Sequence, residues 1–304
     1  MVTKLKDKVQ DALDENRMMV LGVQVLIGFG YRAPFENGFD AMPRIAQLLQ
    51  FTSLTVLLVT FAFLLTPGAD HRIVERGEDS PQFHRFATSF AAMALLPFAV
   101  ALGLDMTVAC WKLAGAPAAI VAGAVMSAVA VAMWYGVELA YGRGGKRAMA
   151  AEDSGKTDVH DKIRHALTEA RVVLPGAQAL LGFQLATMLL EGFDKLPRAL
   201  KWVHFASLSC IAVAIVLLIT PAAWHRIVEG GEENERMHKL ASAMVVAALV
   251  PLALGLTGDF LIVSYKVTSS PPLAAGLAGA LLVIFFGLWF GLTLARRHAS
   301  ASET

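Results

Sequence analysis

Long apolar segments separated by short polar stretches dominate the chain. Eight such segments recur, four in each half: about 18–37, 45–67, 86–110 and 118–141, then about 172–191, 199–221, 240–264 and 273–295. Each approaches the roughly 20 residues that a helix needs to cross a bilayer. The pattern therefore predicts an all-α integral membrane bundle of eight transmembrane helices.

A short amphipathic stretch precedes the first apolar segment of each half. Its apolar residues recur every four positions: Leu5, Val9 and Leu13 in the first half, and Val159, Ile163 and Leu167 in the second. Residues with this spacing share one face of a helix, so the pattern predicts a short helix on the bilayer surface. A solvated leader to the first span is the alternative.

The second half of the chain repeats the first at a constant offset of 154 residues, as the pair Arg17 and Arg171 shows. This indicates a tandem duplication, with a first four-span repeat at 1–143, a linker at 144–158 and a second four-span repeat at 159–298. Because an even number of spans returns the chain to the same side, the repeats should run parallel around a pseudo-twofold axis.

Turn and charge signals add detail to this topology. Gly38-Phe39-Asp40, repeated at residues 192–194, predicts a helix stop followed by an Asp N-cap for the next span.

Most Lys and Arg residues fall on the side that carries both termini and the linker. The positive-inside rule places that side in the cytoplasm, and we expect the protein in a bacterial cytoplasmic membrane.

One segment, Thr-Pro-x-x-x-His-Arg-Ile-Val-Glu-x-Gly-Glu, occurs at 66–78 and again at 220–232, where an apolar stretch meets a charged loop. A histidine follows each copy. The candidate metal ligands are His71, Glu75, Glu78 and His84, and in the second copy His225, Glu229, Glu232 and His238. Imidazole and carboxylate suit a divalent transition metal such as zinc, iron or manganese, and suit haem less well. A salt-bridged loop that contacts lipid head groups is the alternative interpretation.

Polar and kink-forming residues inside the spans are candidates for a transport pathway, because ionisable groups in hydrocarbon are costly. They form three equivalent pairs: Asp105 and Asp259, Pro97 and Pro251, and Gln24 and Gln178. Each carboxylate lies seven residues before a lysine, Lys112 or Lys266, so a structural ion pair is an open alternative. The glutamines predict one buried amide in each repeat.

The repeats also differ at a few polar positions. Arg32 and Glu36 of the first repeat are replaced by Ala186 and Leu190, and Gln50 is replaced by His204. These changes make the halves chemically unequal. Drift after duplication explains them as readily as specialisation.

Composition supports a membrane protein and narrows its chemistry. Of 304 residues, 56% are hydrophobic and 17% charged, with a mean hydropathy of +0.57. A net charge of +1 gives no basic footprint for nucleic acid. Cys110 and Cys210 are not equivalent in the repeats and are interpreted as buried thiols. No sequence motif of a familiar soluble enzyme is present, so enzymatic activity is disfavoured.

Part of the second repeat resembles an uncharacterised bacterial family of small four-helix membrane proteins. The resemblance rests on Leu174-Pro-Gly-Ala-Gln-Ala-Leu-Leu-Gly-Phe-Gln184, on Thr220-Pro-Ala-Ala-Trp-His-Arg226 and on Glu229-x-x-Glu232. It covers roughly 170–265 and, less closely, 16–112, where the first repeat departs from it at Met19-Val-Leu and Asp70. The resemblance implies a tandem fusion and the topology above, and it supplies no catalytic residues.

Three classes of function follow from these patterns. The first is a small-solute or ion transporter or channel with a pathway near the repeat interface. The second is a metal- or haem-binding membrane protein that uses the repeated His/Glu cluster. The third is a non-catalytic membrane component that assembles with itself or with a membrane partner. All three place the protein in the lipid bilayer, and the first is the leading hypothesis.

Overall fold

The computed structural model describes residues 5–76, 78, 80–141, 159–227 and 235–302, and within these ranges the chain is helical with no strands. The predicted linker, 144–158, lies outside the described residues. The first repeat contains α1 (Leu5–Arg32), α2 (Arg44–Ile73) and α3 (Pro81–Tyr141). The second contains α4 (Val159–Thr187), α5 (Glu191–Asp194), α6 (Arg198–Ile227), α7 (Glu235–Thr268), α8 (Pro271–Phe286), a π-helical turn (Gly287–Leu292) and α9 (Thr293–Ser302).

Seven helical segments of the described chain are long and apolar enough to cross a membrane. They are Met18–Phe35, Arg44–Ile73, Pro81–Trp111, Leu113–Tyr135, Arg198–Ala222, His238–Thr268 and Pro271–Ala299. The prediction of membrane-spanning helices is confirmed, whereas the count of eight is not. The segment predicted at 172–191 begins in α4, which ends at Thr187, and it stays a prediction.

Two local predictions are corrected. The amphipathic stretches are not separate helices, because α1 and α4 each run unbroken from that stretch into the apolar segment. Asp40 does not cap α2, which follows Pro43; its carboxylate instead accepts hydrogen bonds of 3.0 Å from Lys266 Nζ. The third and fourth segments of the first repeat are separate candidate spans, as predicted, and α3 contains both with a kink at Gly115, whose φ of 76° lies in the region that glycine tolerates best.

The two repeats pack into one body through their first helices. α1 packs against α4, while α2 packs against α3 and α6 against α7. Small residues allow the close approach of α1 and α4, because a Cβ added to Gly28 meets the ring of Phe183, and one added to Gly176 meets Gln24. α8, the π-helical turn and α9 cross to the first repeat and pack on α2, where Trp289 Nε1 donates to the Ala62 carbonyl at 3.0 Å.

Two ends of the bundle can be defined from the loops. The hairpin end carries the connections 33–43 and 188–197, which meet where Phe35 contacts Phe193. The motif end carries residues 74–80, where His238 Nε2 lies 3.3 Å from the Arg76 carbonyl. Apolar side chains on the outer faces, such as Val216 at 63% exposed, fit contact with lipid.

Candidate functional site

Two sequence-equivalent carboxylates, Asp105 and Asp259, lie between the second and third spans of their own repeats. Asp105 of α3 faces Gln50 of α2, and Asp259 of α7 faces His204 of α6. Gln50 lies fewer than two turns from the start of α2, so the sites sit toward the hairpin end. The duplication therefore produces two versions of one site, whose surroundings can be compared directly.

In the second repeat, both oxygens of the Asp259 carboxylate contact polar side chains of the same repeat. His204 Nδ1 lies 2.9 Å from Asp259 Oδ1, and Gln184 Nε2 donates to Asp259 Oδ2. The other ring nitrogen, His204 Nε2, lies 3.1 Å from the Gln184 carbonyl. Both ring nitrogens of His204 therefore face oxygen atoms. The three side chains are at most 4% exposed and form a closed hydrogen-bonded network.

In the first repeat, the equivalent carboxylate has weaker partners. Gln50 stands at the position of His204, and its Nε2 lies 3.5 Å from Asp105 Oδ1, at the long limit for a hydrogen bond. Gly30 stands at the position of Gln184 and offers no side chain. The nearby Ser53 hydroxyl donates to the Ala101 carbonyl at 3.2 Å. A single distant amide thus stands where the second repeat has an imidazole and a close amide.

Asp105 opens onto a cleft, which we call the first-repeat cleft. It consists of two adjoining cavities of about 380 and 360 Å³ that share Phe29, Gln50 and Val108 as lining residues. The first cavity reaches Glu36 in the hairpin loop, and the second contains Asp105. The carboxylate is therefore reached from the hairpin end.

The mouth of the cleft carries an ion pair that the second repeat lacks. Arg32 Nε donates to Glu36 Oε1 at 2.7 Å, and both side chains are partly exposed. The differences noticed in the sequence at Arg32, Glu36 and Gln50 thus gather around one site. Sequence reasoning missed the fourth difference, Gly30 against Gln184, although the repeat alignment contains it.

Packing between the repeats explains why one site is open and the other closed. Tyr31 OH donates to the Leu256 carbonyl at 2.6 Å, and the ring of Phe51 stacks on Phe260 with centroids 5.5 Å apart. The first repeat therefore covers the third span of the second repeat. Met106, the equivalent of Phe260, is 37% exposed and lines the first-repeat cleft.

A further cavity lies between α1 and α3 toward the motif end. It measures about 410 Å³ and is lined by residues of α1 and of both segments of α3, including Met19, Leu95 and Trp134. Phe98, which directly follows Pro97, stacks on Trp134 in the wall of this cavity, with ring centroids 5.5 Å apart.

The remaining pathway candidates occupy different environments. Gln24 is fully buried between α1 and α4, with its Nε2 3.5 Å from the Val173 carbonyl. The prediction of a buried amide in each repeat is wrong for Gln178, which is exposed, because α4 turns Gly176 rather than Gln178 toward α1. Pro251 lies inside α7, which continues through it.

Asp259 does not pair with Lys266. The lysine contacts Asp40 across the repeats, and Asp259 belongs to the His204 network. The side chain of Lys112, the alternative partner of Asp105, lies outside the described residues. The structural ion pair considered for the second repeat is therefore wrong.

The repeated His-Arg motif contributes to packing at the motif end of the first repeat. His71 is fully buried and stacks on Phe83, with ring centroids 4.4 Å apart. Next to it, the buried Asp70 pairs with Arg296 of the second repeat at 2.6 Å. The guanidinium of Arg296 also lies 3.9 Å from the centroid of Phe86. These contacts connect α2, α3 and α9.

The metal hypothesis receives no support from the described part of the motif. His71, Glu75, Glu78 and His84 are all described, and no group of three or more His, Cys, Asp or Glu side chains among the described residues is arranged to hold a metal ion. In the second copy, Glu229, Glu232 and the side chain of His225 lie outside the described residues, although His238 is described. Metal binding there stays a prediction.

The helices and the duplicated carboxylates define an internally duplicated, multi-helix membrane protein. One protein family, described as a family of unknown function (DUF6328), matches the chain twice, over residues 2–138 and 154–293. The chain belongs to this family, and the two matches confirm the tandem duplication. No curated protein and no solved structure matches the chain.

Proposed function

We propose that the protein is a membrane transporter for a small solute or ion, with Asp105 in the first-repeat cleft as its binding carboxylate. One observation carries the proposal: of two duplicated carboxylates, Asp259 is satisfied within its own repeat, whereas Asp105 faces a cleft. Ionisable residues in spans are costly and characteristically line pathways or meet partners. Asp259 is hydrogen-bonded to side chains of its own repeat, whereas Asp105 faces the cleft that we propose as the pathway.

A second cavity beside α1 supports transport over simple binding. The first-repeat cleft lies toward the hairpin end of α1 and the 410 Å³ cavity toward its motif end. Their nearest lining residues on α3, Phe98 and Leu102, are four residues apart, about 6 Å along the axis. A pathway with a short closure between two cavities is what alternating access requires, and Pro97 provides a point at which α3 can bend.

The pathway lies beside the repeat interface, because α1 packs against α4 of the second repeat. By the positive-inside rule, the excess of Lys and Arg at the motif end predicts that this end faces the cytoplasm. The first-repeat cleft would then open on the opposite side of the membrane, and the 410 Å³ cavity, with the Phe98–Trp134 stack in its wall, would face the cytoplasm.

Flux measurements on purified protein in liposomes test the proposal. Stopped-flow light scattering follows volume recovery with sodium chloride, potassium chloride, methylammonium chloride and glycerol. We expect recovery faster than in protein-free liposomes for at least one solute, and a loss of about tenfold or more in Asp105→Asn, which corresponds to about 1.4 kcal/mol.

The matched control is Asp194→Asn, which removes the same charge from an exposed side chain at the hairpin end. This variant should keep the wild-type flux. Rates equal to those of protein-free liposomes for every solute, or unchanged flux in Asp105→Asn, would contradict the proposal.

A further inference from the structure

We infer that the first-repeat cleft binds organic cations that present two N–H donors beside an apolar body, such as amidines and guanidines. The inference rests on the proposed function in taking this cleft as the solute site. It goes further in naming the chemical class of the solute, and its argument comes from the second repeat.

The second repeat shows which groups this carboxylate position accepts. Both oxygens of Asp259 receive N–H donors, one from His204 and one from Gln184. In the first repeat, glycine stands at position 30 and glutamine at position 50, with the Gln50 amide 3.5 Å from Asp105. A solute that offers two N–H donors would reproduce at Asp105 the contacts that the second repeat makes internally.

The charge of the solute follows from the group that it would meet. Asp105 is an ionisable residue in a membrane span, where a partner of opposite charge offsets the cost of burying the carboxylate. A planar cation with two parallel N–H groups matches the two oxygens of a carboxylate and forms the strongest such pair. Amidinium and guanidinium groups have this geometry.

The lining of the cleft determines the rest of the solute. Leu102, Val108 and Met126 surround Asp105 with apolar surface, and Phe29 lines both cavities. An aromatic face near a carboxylate favours a cation with an apolar body. Volumes of about 360 and 380 Å³ are at the lower end of the roughly 300–1,000 Å³ typical of small-molecule sites. The cleft therefore suits a compact solute.

Isothermal titration calorimetry on the full-length protein in nanodiscs tests the inference with benzamidine as the probe. Benzamide, which is neutral and has nearly the same shape, is the matched control ligand. We expect saturable benzamidine binding to one site per chain, and benzamide binding weaker by about tenfold or more, as the loss of one charge-assisted hydrogen bond predicts.

Three variants locate the site. Asp105→Asn should weaken benzamidine binding by about tenfold or more, and Asp194→Asn should leave it unchanged. The double variant Gly30→Gln with Gln50→His gives the first repeat the side chains of the second, and it should abolish binding. The glutamine introduced at position 30 requires little rearrangement at its Cβ. Only the flexible end of the Leu54 side chain lies closer than 3.0 Å to a Cβ added at Gly30.

The results that would overturn the inference are equally specific. They are no benzamidine binding by the folded wild type, benzamide binding as tight as benzamidine, or full binding by Asp105→Asn. The folding of the double variant is judged by size-exclusion chromatography and circular dichroism. If it does not fold, benzamidine binding by the nearly isosteric variant Asp105→Asn tests the inference by itself. Binding without flux would overturn only the transport proposal, and flux without benzamidine binding would overturn only this inference.

Discussion

Truncation of His204 should destabilise the protein, because this side chain satisfies a buried carboxylate in the closed network of the second repeat. His204→Ala removes the 2.9 Å contact with Asp259 Oδ1 and leaves Gln184 as the remaining donor of the network. It also removes an edge-to-face contact with Phe193, whose ring centroid lies 5.1 Å from that of His204. Both losses occur where water cannot compensate.

The expected cost can be worked out from these contacts. A hydrogen bond to a charged group contributes about 1.5–3 kcal/mol, and an aromatic edge-to-face pair about 0.5–1.5 kcal/mol. Polar contacts between membrane helices contribute less, on average about 0.6 kcal/mol, because the unfolded chain in the membrane finds other partners. We therefore expect a loss of about 2–3 kcal/mol, in the lower part of the summed range of about 2–4.5 kcal/mol.

Gln50→Ala is the matched control, since Gln50 is the equivalent residue and is similarly buried, at 6% exposed. Because Gln50 contacts Asp105 only at 3.5 Å, we expect Gln50→Ala to lower the free energy of unfolding by less than about 1 kcal/mol. Unfolding by sodium dodecyl sulfate in mixed micelles, followed by circular dichroism, gives both free energies. Equal losses for the two variants would refute the distinction between a closed and an open carboxylate site.

Two further predictions concern contacts between the repeats. Gly176→Ala should destabilise the protein by about 1–3 kcal/mol, because the new Cβ meets Gln24. Gly182→Ala on the same helix is the control, since its Cβ meets open space and the change should be neutral or stabilising. Unfolding in mixed micelles compares the two variants. Trp289→Phe should lower the free energy of unfolding by about 1 kcal/mol in the same assay, because it removes the indole N–H that donates to α2. Trp202, which is 61% exposed, provides the control, and Trp202→Phe should leave the free energy of unfolding unchanged.

Apolar length and internal repetition were sufficient to predict the membrane-spanning helices and the duplication. Both depend on properties that the chain carries locally, namely runs of apolar residues and a constant offset between equivalent positions. The count of eight spans stays a prediction. The segment 172–191 resembles the others in average composition and begins in α4, which packs against α1 and ends at Thr187.

The site could be predicted only in part, because its character depends on packing between distant segments. The sequence identifies Asp105 and Asp259 as equivalent, and it cannot show that Tyr31 and Phe51 of the first repeat cover the third span of the second. The His-Arg motif was the most conspicuous repeated signal. In the first repeat its buried histidine stacks on Phe83, so this prominence in sequence reflects packing in the described part of the motif.

Fusion of the two repeats offers a reason for the inequality of the carboxylate sites. A symmetric dimer of identical single repeats presents every site twice, so a change that closes one site closes both. A tandem chain has no such constraint, and one copy can become structural while the other keeps an accessible carboxylate. The repeats differ at many positions, such as Asn16 against Ala170. Four of these differences lie around the carboxylate site: Gly30 against Gln184, Arg32 against Ala186, Glu36 against Leu190, and Gln50 against His204. Together they accompany a closed carboxylate site in one copy and an open one in the other, which is the inequality that fusion permits.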